Sequence, residues 1–216
     1  MEYARWLEEH HRLMAELRAA MQEHALPENE LRMFAGSCLA HYDTMMNLKS
    51  LALKNDVFHI VSGMWMTPAE RCFLWIGGFR PSDLIKVIWS HVEPLTEHQL
   101  LLMSNLQHSA QETQEALSQG LESLNQSLSD TISSDTFGSH SDTNSYMSQM
   151  VVAMNKLSAL EGFVRQAERL RQQVLHRLCE ILSARQAGRC FLAIADYFQR
   201  LRTLSSLWLS RPWNHA

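Results

Sequence analysis

Apolar residues recur in this chain at the period of an α-helix over nearly its whole length. Leu100, Met103, Ala110, Leu117, Leu121, Leu124 and Leu128 fall on one narrow stripe, the pattern of a helix solvated on most sides and packed along one seam. Four further stripes share the period. One runs through Tyr3, Trp6, His10, Met14, Leu17 and Met21. The next passes Leu31, Ala35, Cys38, Tyr42, Met46 and Lys49. The third runs from Val151 through Met154, Val164, Ala167, Val174 and Leu178 to Ile181, and the last links Phe191, Ile194, Phe198, Leu201 and Trp208. No segment alternates with period two, so no strand is expected. Only 8 Gly and 5 Pro punctuate 216 residues. The expected fold is all-α, a bundle of long antiparallel amphipathic helices.

The breakers place the helix ends. Pro27 suits the start of a helix, and Asn55-Asp56 can cap a short one. Residues 63–83, GMWMTPAERCFLWIGGFRPSD, read as a tight helix-turn-helix corner. Within it Thr67-Pro68-Ala69-Glu70 is a capping box that opens a helix over 68–76. Gly77-Gly78 closes that helix, and Pro81 starts the next. Thr96–Gln99 and Ser183–Gln186 are further capping boxes, and a helix is expected from Tyr146 onward. The stretch 133–145, SSDTFGSHSDTNS, reads as a mobile polar loop. Neither half has apolar faces enough to fold alone, so residues 1–216 are expected to form a single helical domain.

Composition narrows the function. No apolar run approaches the roughly 18–20 residues that a membrane span needs, and the acidic, amphipathic start is not expected to be a signal peptide. Four cysteines do not make a disulfide scaffold, which points to a reducing compartment. The formal charge of −4 is unevenly spread: residues 1–86 carry −2, 87–155 carry −8 with no lysine or arginine, and 156–216 carry +6. A stretch of 69 residues without a cation is not a phosphate-backbone surface. Two arrangements fit this asymmetry. Either the acidic and basic segments pack side by side, or the acidic helix, with Glu112, Glu115 and Glu122, meets a basic partner.

No catalytic set stands out: G-x-S-x-G, H-E-x-x-H and C-x-x-C are all missing, and the chain is not expected to be an enzyme. Cys38/His41 and His176/Cys179 have the spacing of two half-sites for zinc, but with 11 histidines such spacing arises readily by chance, and no metal is expected. Cys179 and Cys190 stand about 16 Å apart on one straight helix, beyond disulfide reach unless the chain breaks near Ser183. The aromatic and methionine cluster admits two readings. It can be packed core, the usual role of methionine. Alternatively Met64, Trp65, Trp75 and Phe79 line a pocket for a fatty acid or haem, with Arg71 or Arg80 at its mouth for a carboxylate.

Four segments carry a resemblance: EYARWLEEH (2–10), KNDVFHIVSGMWMTPAERCFLWIGGFRPSDLIKVI (54–88), LTEHQL (95–100) and YFQRLRTLSSLW (197–208). They resemble the C-terminal effector region, the Delay-of-Germination or seed dormancy control domain, of plant TGA-type bZIP transcription factors. The resemblance implies a nuclear protein that regulates TGACG-type promoters. It implies homo- or heterodimers with TGA factors, and docking of a BTB/ankyrin coactivator or a plant glutaredoxin. It also implies that DNA is bound only through a basic region and zipper, which these 216 residues do not contain. Some relatives carry two cysteines six apart where this chain has Ser104 and Ala110, so a redox switch on that pair is not expected here. Cys72, within the matching PAERC, is expected to be buried and inert.

Overall fold

The structure, a computed structural model, describes residues 2–23, 26–133 and 143–211. Among these residues the fold is all-α. Its helices are α1 (Glu2–Gln22), α2 (Glu28–Asn55), α3 (Val57–Ser62), α4 (Pro68–Arg71), α5 (Pro81–Trp89), α6 (Glu97–Ser133), α7 (Thr143–Ile181) and α8 (Ala184–Ser210). Of the expected 133–145 loop, Ser133 and residues 143–145 are helical, and the rest lies outside the described residues.

The apolar stripes are what brings the long helices together. α2 packs against α1, α7 and α8, and α1 also lies on α8. The core includes Leu17, Ile85, Ile88, Met103, Phe191 and Ile194. α6 and α7 pair antiparallel. Gln99 Nε2, at the start of α6, donates to the Ile181 carbonyl at the end of α7 (3.0 Å), and Lys156 Nζ, in the first half of α7, donates to the Ser127 carbonyl near the end of α6 (2.7 Å). Midway, Gly120 lets the Phe163 ring lie against the α6 backbone, since a Cβ there would stand 2.7 Å from the ring.

Side chains satisfy the helix ends. Asp56 accepts the His59 N–H, Gln99 closes the Thr96 box, and Ser183 and Gln186 form theirs reciprocally. The turn around Ser183 separates α7 from α8, yet Cys179 and Cys190 remain free thiols, as do Cys38 and Cys72.

The corner departs from the expected helix over 68–76. Helix α4 is only Pro68–Arg71, and the chain then turns away. Trp75 and Gly78 pair as an antiparallel bridge, with N–H to carbonyl distances of 2.7 and 3.1 Å in the two directions. The two residues between them, Ile76 (φ 39°) and Gly77 (φ 71°), both take positive φ, as in a mirror-image hairpin turn. Such a conformation is costly for a β-branched residue. A neighbour compensates: Arg171 on α7 binds the Trp75, Ile76 and Phe79 carbonyls that the turn exposes.

Candidate functional site

Arg171 falls in register with Ala167, Val174 and Leu178, on the core stripe of α7. Its side chain is fully buried. The guanidinium Nε–H donates to the Phe79 carbonyl (2.8 Å). Nη2 donates to the Ile76 carbonyl (2.9 Å) and to that of Trp75, and Nη1 donates to Glu168 Oε1 (2.6 Å). The same Glu168 oxygen takes Lys49 Nζ from α2. The guanidinium also lies over the Trp75 and Phe79 rings, at 5.2 and 5.6 Å, and Lys49 lies over Trp65 at 5.3 Å. Desolvation pulls the Lys49 ammonium down to about 8, and it lowers Arg171 too. Gly78 is required here by close approach, because a Cβ would stand 2.9 Å from the Arg171 guanidinium carbon and 3.0 Å from Lys49 Nζ.

Two more helices brace the corner. Glu70, 3% exposed, accepts the Thr67 N–H (2.9 Å), the Thr67 hydroxyl (2.7 Å) and Arg202 Nη1 from α8 (3.0 Å). Ser205 accepts the Ala69 N–H at 2.9 Å. From α6, Ser118 accepts the Trp75 indole N–H (2.9 Å), and Gln114 exchanges two 2.8 Å hydrogen bonds with Ser82 at the start of α5. Beside the corner, the Trp6, His10 and His41 rings lie nearly parallel against one another, Trp6 at 4.8 Å from His10 and 4.5 Å from His41, and the two imidazoles 5.6 Å apart. Burial holds the His10 imidazole down at about 3 and also lowers His41, while it raises the Tyr3 phenol to about 12.

The six residues read as a pocket are not brought together. Trp65 and Phe79 line a cleft of about 70 Å³ shared with α1, α2, α7 and α8. Phe79 and Arg80 line a separate groove of about 240 Å³ with Phe73, Tyr197 and Leu201. Trp75 is buried toward α6, and Met64 and Arg71 are exposed, where an Arg71 N–H meets the Met64 sulfur at 3.5 Å. Cys72, expected to be buried, is exposed because α4 ends before it and turns its side chain outward. The two half-sites for zinc do not converge either. His41 stacks on Trp6, His176 pairs with Asp43 (3.0 Å), and the described residues hold no group of three or more metal-ligating side chains.

Glu112, Glu115 and Glu122 are exposed on α6, at spacings that put them on one side of the helix. Among the described residues no lysine or arginine forms an ion pair with any of them. Glu112 meets only His108 (3.3 Å), and Glu115 accepts from Gln111 (3.0 Å). The ion pairs of the basic C-terminal segment go elsewhere, to Glu161, Glu168, Glu180, Glu70 and Asp43, and none reaches residues 87–155. The acidic α6 and the basic stretch of α7 do lie side by side, as the first arrangement has it, but among the described residues no ion pair joins them, so the acids of α6 stay unneutralised.

The sequence signal for the missed clamp was present: a charged residue at a core position of a helical stripe, as at Arg171, Lys49 and His10. What the stripe could not say was which backbone carbonyls Arg171 would reach, because they lie more than ninety residues away.

Among the described residues, helices braced around a bridged turn form a scaffold that carries a solvated acidic arm. The sequence model of the seed dormancy control (DOG1) family matches residues 13–90. The chain is 66% identical over 212 residues to the bZIP transcription factor TGA10 of Nicotiana tabacum, covering 98% of this chain and 42% of that protein. It is 62% identical to the transcription factor TGA10 of Arabidopsis thaliana and 56% identical to the transcription factor TGA2 of the same plant, covering 47% and 64% of their lengths. By sequence this chain corresponds to the region of TGA-type bZIP transcription factors that carries the seed dormancy control domain. It spans only about half the length of these relatives.

Proposed function

We propose that residues 1–216 act as one non-enzymatic effector domain of a nuclear transcription factor, docking a protein coactivator and supporting dimerisation. DNA of the TGACG type would be contacted by a basic region and zipper elsewhere in the longer protein. The partners that the family suggests are a BTB/ankyrin coactivator, a plant glutaredoxin, and a second TGA factor. One observation carries the reading: α6 presents Glu112, Glu115 and Glu122 to solvent, with none of the chain's described cations paired to them. Capped at its start by Thr96 and Gln99 and packed along α7, α6 presents such a face at little entropic cost. Thr67, Glu70, Trp75 and Ser82 of the corner are each engaged by a structural hydrogen bond, which favours scaffolding over turnover there.

The test is a pull-down with a BTB/ankyrin coactivator, comparing Glu112→Lys/Glu115→Lys with the unaltered chain. Loss of binding with unchanged helical content is expected. Undiminished capture removes the acidic face from the interface. Light scattering across a concentration series reads dimerisation separately.

A further inference from the structure

Polar side chains without partners concentrate in one place. Among the described residues five buried side-chain atoms make no hydrogen bond: His10 Nδ1, Trp65 Nε1, Glu168 Oε2, Arg189 Nε and Arg202 Nε. Four of the five belong to residues lining the cleft of about 70 Å³ beneath the corner. Native interiors leave few such groups, because each costs about 1–3 kcal/mol when nothing compensates. Four around one cleft point to something that binds there.

The chemistry of the lining names its kind. Lys49, Arg171 and Arg202 face two carboxylates, Glu70 and Glu168, so one positive charge is left over. His10 adds none, since burial keeps its imidazole neutral well below physiological pH. The remaining walls include the rings of Tyr3, Trp6, Tyr42 and Phe198, and in such low-dielectric surroundings an uncompensated charge attracts strongly. Of the orphaned atoms, the Trp65 and Arg202 nitrogens can only donate. Lys49 has three donors and uses one on Glu168. Glu168 Oε2 only accepts, and its charge is already matched by Lys49 and Arg171. The cleft is far below the roughly 300–1,000 Å³ of pockets for larger ligands, and has room for a few waters or a carboxylate with a short body.

We propose that this cleft binds a small free carboxylate, its head held by Trp65 Nε1, Arg202 and Lys49. Binding supplies the negative charge that the lining lacks, gives two orphaned donors an acceptor, and ties α1, α2, α8 and the corner together from inside. The site is independent of the acidic face of α6, so it stands or falls separately from coactivator docking.

The test is calorimetry on the chain at constant ionic strength balanced with chloride, using acetate and propionate against acetamide and propionamide. The Trp65 indole N–H is followed in parallel by nuclear magnetic resonance. The carboxylates should bind and move that resonance, with the neutral amides at least about tenfold weaker. Trp65→Phe keeps the ring and removes the N–H. It should weaken carboxylate binding about tenfold, while the ligand-free protein melts no lower, since an unpaired donor has been removed. The proposal is overturned if amides bind as well as carboxylates, or if Trp65→Phe binds them undiminished. It is also overturned if neither class binds, whatever pairs the four atoms.

Discussion

At the scale of single residues, Arg171 holds the corner to the bundle, and its cost and its use are inseparable. A guanidinium stripped of water is stabilised here only because Glu168 and three backbone carbonyls surround it. Arg171→Met should therefore cost about 3–5 kcal/mol in urea unfolding, because Glu168 loses a partner and the Trp75, Ile76 and Phe79 carbonyls lose theirs. The double variant Arg171→Met/Glu168→Met should recover part of that loss, and strict additivity would refute the coupling. His10 gives a second residue-scale outcome. Its folded-state value near 3 lies below the ordinary 6.5, so the unfolded chain binds the extra proton between those values. Stability is complete above about pH 6.5 and falls as pH drops toward 3. Going from pH 7 to pH 5, the unaltered chain should lose about 2 kcal/mol through this imidazole. Denaturation of His10→Phe at both values should show that much less acid sensitivity.

At the scale of elements, glycines separate positions where backbone freedom is used from positions where it is only a liability. Gly162 lies inside α7, and a Cβ there would meet nothing within 4 Å. Gly162→Ala should raise stability by about 0.5–1 kcal/mol through helix propensity alone. Gly77 is the opposite case: its φ is 71°, and a Cβ would stand 2.8 Å from Ile60 Cγ2. Gly77→Ala should lower the melting temperature, and no change would mean that the turn is freer than its hydrogen bonds imply. This contrast also marks how far sequence alone reaches. The long helices were legible because each buries a stripe with period near 3.6, and their ends were legible because Asp56, Thr96 and Ser183 are local caps. The turn at 75–78 was not, because local propensity allowed α4 to continue, and the side chain that ends it comes from α7. The expected pocket is divided for the same reason: Trp65 and Phe79 share one cleft, Phe79 and Arg80 another, and Trp75 is buried toward α6 by the turn with two positive φ values. The cleft that does exist draws on Tyr3, His10, Lys49, Glu168 and Arg202, a set that no contiguous motif announces.

At the scale of the whole molecule, charge is sorted by fate as well as by position. Of the cations of α7 and α8, Arg171 and Arg202 are spent inside the fold on Glu168 and Glu70, and Arg165 and Arg177 pair at the surface with Glu161 and Glu180 of their own helix. The acids of α6 are left facing water. A charge already paired within a protein steers a partner weakly, whereas an unpaired cluster on an exposed helix raises the rate of encounter with a basic surface. Charge reversal at Glu112 and Glu115 should then act mainly on association. In surface plasmon resonance with the coactivator, the on-rate should fall several-fold at 50 mM salt, with a smaller change in off-rate. Raising salt to about 0.5 M shortens the screening length to a few ångströms, so the difference between variant and unaltered chain should nearly vanish. A difference that persisted at high salt would mean that the two glutamates are desolvated in the contact itself, and α6 would then be the buried centre of the interface and not its steering rim.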